Sequence, residues 1–185
     1  MLVEIVSRRN LERNLEHVRK LHGPDAVIID VTSHSDSEIY IKFSPFFPHR
    51  AIPVSGMIDT TTKSVEGGWQ GLKIFSKETV DLKKFEIVNM RKLKRAPGKK
   101  RGDVIGHSYG EEILDYVTAR KMIYVPMYEY VLDNYLTHEM EMLRNILYEK
   151  KLLILVDYET NEDVEDTKKP LSHASIIKRR LLEIK

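Results

Sequence analysis

The chain has 185 residues, enough for one domain that buries about 70% of the surface its unfolded form exposes and needs no covalent staples. It is 42% hydrophobic and 31% charged, with no cysteine, which excludes disulfides, thiolate nucleophiles and Cys-ligated zinc; no apolar run approaches the ~18 residues of a membrane span. The formal net charge of +2 hides an asymmetry: residues 83–101 hold nine Lys or Arg and one acid, Glu86, so that of 30 basic and 28 acidic residues, 21 and 27 lie elsewhere.

The N-terminus has an early acid, Glu4, and no cationic leader, so no signal peptide is expected. With the lack of cysteine this fits a reducing cytoplasm. One Gln, no Cys and many charges lean towards a thermophilic source. Residues 2–6 read as a strand. Leu11, Leu15, Val18 and Leu21 recur at helical spacing, with Asn10 as N-cap and Gly23-Pro24 as the stop. Residues 26–31 are a β-branched run, 33–37 a turn, and 39–43 the next strand, giving a β-α-β-β extension over residues 1–42. Residues 43–57 carry three prolines and four aromatic or His side chains, the composition of a rigid loop that shapes a pocket. A helix follows at Ser64. Residues 83–110 read as a basic, Gly-containing loop or flap. From Glu111 the pattern is helical, with Pro126 opening a further helix. Residues 152–156 are a buried strand, 159–169 a charged loop, and Leu171, Ala174, Ile177 and Leu181 a closing helix. The class is α+β, mainly helical with a small sheet, in a single domain.

The chemistry concentrates at residues 64–73. With Ser64 as cap, Glu66 sits in the first turn, where the helix dipole favours a carboxylate. Glu66, Trp69, Gln70 and Lys73 fall at i, i+3, i+4 and i+7 and share a face, which can hold a polar ring and set a carboxylate beside a sugar. The same spacing also suits a structural helix, with Trp69 in the core and Lys73 paired to Glu66 or Gln70. Gly67, Gly68 and Gly71 each weaken the helix by about 1 kcal/mol relative to Ala, which calls for close approach by a ligand or a neighbouring backbone.

These residues also carry a resemblance. Ser64-x-Glu66-x-x-x-Gln70-x-x-Lys73-x-Phe75, preceded by Phe43-Ser44-Pro45-Phe46-Phe47-Pro48, resembles the signature of the NADAR (YbiA-like) superfamily. The later segments follow that family's order loosely, so the similarity spans residues 43–178. The resemblance implies a compact enzyme that cleaves N-glycosidic bonds, in riboflavin-pathway intermediates in one branch and between ADP-ribose and guanine in another. It implies Glu66 as the catalytic carboxylate, supported by Gln70 and Lys73. Asp157 or Asp163 would supply a second acid or base, Trp69 or Phe46 would stack on the base, and Lys73 or the basic segment would hold phosphate oxygens. Phe43, Ser64, His107 and Arg120 complete the expected substrate-binding set. The family's Trp-Gly after the late acid is replaced here by Val164-Glu165, and residues 1–42 and 83–101 have no clear counterpart in it.

The seven histidines show no HxH or HExxH spacing, so neither a metal site nor a cofactor is expected. His49 and His107 stand out by their surroundings; Gly106 to Gly110 reads as a plain turn or a phosphate-wrapping loop. The basic run supports a rival function, a non-catalytic module that binds nucleic acid or an ADP-ribose-like nucleotide.

Overall fold

The computed structural model describes residues 2–23, 25–150 and 152–183. Along the chain the strands are β1 (Leu2–Ser7), β2 (Val27–Asp30), β3 (Ile52–Pro53), β4 (Thr61–Thr62), β5 (Lys73–Phe75), β6 (Val104–Tyr109), β7 (Glu112–Leu114) and β8 (Leu152–Asp157). The α-helices are α1 (Leu11–His22), α2 (Val65–Leu72), α3 (Tyr116–Ala119), α4 (Val125–Asn134), α5 (Thr137–Lys150) and α6 (His173–Leu182). The architecture is α+β. It divides into two compact units, Met1–Ser44 with Leu132–Lys185, and Pro45–Val131. No helix among the described residues is long and apolar enough to cross a membrane.

Unit one is built on a parallel sheet of order β1-β8-β2. All six residues of β8 are buried, as expected for a strand covered on both faces, and this is why it reads as a continuous apolar run. Val6, Leu152, Ile154 and Val156 pack with Val18, Leu11 and Leu15 of α1. The N-terminal segment is thus part of this core, since it supplies both strands that flank β8. Asn10 precedes α1 in a left-handed conformation without capping through its side chain. The anchor is Asn14, whose amide donates to the carbonyls of Ser7 and Arg9. Gly23, at φ 86°, ends the helix with its N–H on Arg19; Pro24 lies outside the described residues. The strand expected at 39–43 is instead a short 3-10 helix, Tyr40–Phe43. Ser37 causes the change: its hydroxyl accepts the N–H of Ile39 and Tyr40 and its carbonyl that of Ile41, removing donors a strand would need.

Unit two places α2 against an antiparallel sheet of order β5-β6-β7. Every residue of α2 is buried. Its glycines are explained by chain packing, and no ligand is needed to account for them. A Cβ on Gly71 would lie 2.3 Å from the Phe85 ring, and one on Gly67 2.7 Å from the Lys84 carbonyl. The helix expected from Glu111 is corrected in its first residues: Gly110, at φ 59°, turns β6 back into β7, and helix begins only where Asp115 caps the N–H groups of Val117 and Thr118. Between α3 and α4, Arg120–Tyr124 form a π turn, with the Val125 N–H on the Arg120 carbonyl. The further helix expected at Pro126 is α4, which starts one residue earlier and runs through Tyr130, Val131 and Asn134; Pro126 has no N–H to continue the ordinary ladder, and the widened turn before it carries the chain past that gap.

Candidate functional site

The site grows from the start of α2. Ser64 is extended and its hydroxyl accepts the Gly67 N–H at 3.0 Å, while the Glu66 N–H donates to the Pro45 carbonyl at 2.8 Å. The proline-rich loop thus satisfies a donor that the first helical turn cannot. One turn later the Gln70 amide nitrogen donates to Glu66 Oε1 at 2.9 Å, and the Gln70 oxygen accepts from Lys73 Nζ at 3.1 Å. Glu66 and Gln70 are buried, at 7% and 6% exposure. The expected helical face therefore exists, although Lys73 reaches it from the first residue of β5.

Arg95 is the residue that sequence reasoning missed. It lies in the basic run, yet its side chain is fully buried. Its N–H donates to the Gln70 side-chain oxygen at 2.8 Å. Its guanidinium donates to the carbonyls of Gln70, Lys73 and Thr79 and to Glu78 Oε1, and lies over Phe75 at 4.9 Å. Two donors on the Gln70 oxygen fix which way its amide points, so the nitrogen must face Glu66. Nothing in a charge run distinguishes an arginine that turns inward. The basic segment is accordingly an irregular strap pinned by Phe85, Leu93 and Arg95, all at 3% exposure or less, and not a loose flap.

His107 lies on β6, not in a turn or phosphate-wrapping loop, directly across from Lys73. It has no exposed surface. Its ring stacks on Trp69, with centroids 3.7 Å apart. Neither ring nitrogen has a hydrogen-bond partner among the described residues. Burial, then the positive charges of Lys73 and Arg95, lower its pKa to about 3, so the imidazole is neutral at ordinary pH. Burial also holds Lys73 below the usual lysine value; Glu66 opposes this, and Arg95 and Lys94 add to it. Trp69 is 8% exposed, with Tyr124 edge-on at 5.6 Å, so it serves as the wall behind His107, not as an open stacking platform. Phe46 is half-buried, with Lys94 Nζ 5.5 Å over its ring. Arg120 is buried and donates to the Tyr116 hydroxyl at 3.2 Å.

The other expected residues belong to unit one. Phe43 is fully buried in its 3-10 helix. Asp157 accepts from Ser172 Oγ at 2.6 Å and pairs with His173 Nδ1 at 3.0 Å. Burial works to raise its pKa, but His173, Ser172 and the Tyr158 N–H together hold it low; burial works to lower the pKa of His173, and Asp157, the Val31 carbonyl and Asp30 together raise it. Asp163 is exposed and turns its own loop by accepting the Glu165 N–H.

The model of a family of unknown function, DUF6939, matches residues 10–177. The chain belongs to the DUF6939 family. No curated protein matches it. The matched span includes the whole Glu66 constellation of this DUF6939 member, and the family description assigns it no chemistry.

Proposed function

We propose that this DUF6939 protein is an N-glycosidase that hydrolyses a ribosyl C1–N bond in a nucleotide-like or ADP-ribosylated substrate, in the manner that its resemblance to the NADAR superfamily implies. The observation that carries the reading is the buried chain Arg95–Gln70–Glu66. It spends protein donors on a carboxylate whose orientation is fixed from behind, as a group meeting a developing positive charge requires.

In this mechanism the C1–N bond lengthens, positive charge builds on the sugar, and Glu66 stabilises it. Water forms the new bond to C1, its orientation set by the same carboxylate. The C1–N electron pair leaves with the base, which takes up the proton the water loses. Lys73 and Lys94 can meet phosphate oxygens. No resident cofactor takes part.

The test is hydrolysis of free ribonucleosides, nucleotides and ADP-ribosylated guanine by the wild-type protein and by Glu66→Gln. The expected result is turnover in the wild type that falls at least about 100-fold in the variant. Undiminished turnover would refute the role of Glu66. Tight nucleotide binding without turnover in either protein would favour a non-catalytic nucleotide-binding module.

A further inference from the structure

Residues 83–101 carry nine cations, but they do not share one role. Arg95 is internal, and Arg101 lies 3.2 Å from Glu78. Lys83, Arg91, Lys92, Lys94, Lys99 and Lys100 are exposed. The strap that presents them is already shaped. Phe85, Leu93 and Arg95 fasten it inward, the Lys84 ammonium bonds the Lys92 carbonyl, and Gly98 and Gly102 exchange backbone hydrogen bonds of 3.2 and 2.7 Å. That last ladder projects Lys99 and Lys100 at a hairpin tip, with Lys77 held beside them through its bond to the Lys99 carbonyl.

We propose that this strap is a docking surface for the phosphates of a single-stranded nucleic acid. Two observations favour that partner. A polyanion gains by releasing condensed counterions to a dense cation row, and a row already held in shape loses little freedom on binding. Next, Lys94 stands beside the Phe46 ring, setting a cation of the strap and an aromatic plane together, the pairing that holds backbone and base in single-strand grooves. If the glycosidase reading also holds, on which this extension rests, the strand leads a base past Lys94 towards Lys73 and Glu66. Such a base must be unpaired to reach a buried carboxylate.

The experiment measures binding of a fluorescent mixed-sequence single-stranded DNA or RNA to the full chain by anisotropy across a salt series. Wild-type protein is compared with the combined variant Arg91→Ala/Lys99→Ala/Lys100→Ala, which leaves Lys73, Lys94 and Glu66 in place. The expected result is binding that weakens with salt. In the variant, affinity falls about tenfold or more and the salt slope drops by about 2, from three lost phosphate contacts at ~0.7 each. Absence of salt-dependent binding, an unchanged affinity in the variant, or tighter binding to phosphatidylserine vesicles than to the oligonucleotide overturns the proposal. Riboside hydrolysis is measured alongside. The variant keeps it, so strand binding without hydrolysis sustains the docking surface and removes the glycosidase, and hydrolysis without strand binding does the reverse.

Discussion

Replacing His107 by Phe removes a titrating group and leaves a flat ring of similar size against Trp69, so the pair of proteins isolates what the imidazole does to stability. In the folded protein burial, reinforced by Lys73 and Arg95, holds this group near 3. In the unfolded chain it titrates near 6.5. Below pH 6.5 the unfolded chain therefore binds a proton that the folded protein does not, and stability falls as pH drops from 6.5 towards 3. At pH 7.5 the effect is negligible. At pH 5, still well above the folded value, it amounts to about 2 kcal/mol. The assay is urea unfolding at both pH values, followed by the fluorescence of Trp69, the only tryptophan in the chain and 3.7 Å from the ring in question. The wild type should lose about 2 kcal/mol more than His107→Phe between pH 7.5 and 5, the common contribution of all other groups cancelling in the difference. Equal losses in the two proteins would mean that His107 protonates freely in the folded state and would refute the argument from burial.

Arg95→Met should destabilise unit two by about 3 kcal/mol, because one buried and two part-buried carbonyls lose their donor at roughly 1 kcal/mol each; the same Trp69 unfolding curve checks it, and a change within about 0.5 kcal/mol would show that Arg95 is not a structural pin. In unit one, the His173 contribution to stability should be complete below pH 6.5 and vanish as pH rises through the raised value of this histidine, while the Asp157 contribution should vanish as pH falls through its lowered value. Hydrogen exchange of β8 amides in the wild type and His173→Gln reads this, and a stability difference that grows above pH 6.5 would contradict the sign.

Much of the site's primary layout is local and therefore legible. Ser64 as cap, Glu66 in the first turn and Gln70 one turn on follow from helix geometry, which depends only on spacing. The buried strand β8 was legible for a similar reason, since a strand covered on both faces must be apolar throughout. The misread segments depended on partners that spacing does not contain. Residues 39–43 alternate like a strand, but Ser37 captures their donors. Gly110 starts a hairpin turn that a helical pattern of apolar residues overrode. The α2 glycines called for close approach by a ligand or a neighbouring backbone, and spacing could not say which; the Lys84 and Asp81 carbonyls and the Phe85 ring make that approach.

By itself the sequence determined the α+β class, the capped helix that carries Glu66 and the concentration of positive charge between residues 83 and 101. Only the tertiary structure decided that Arg95 leaves that charge to orient Gln70, that Lys73 faces His107 across two strands, and that His107 is buried and neutral. The physical reason is range. Helix caps and periodicity are set within a few residues, whereas burial, cross-strand pairing and the direction of an arginine are set by what folding brings against them.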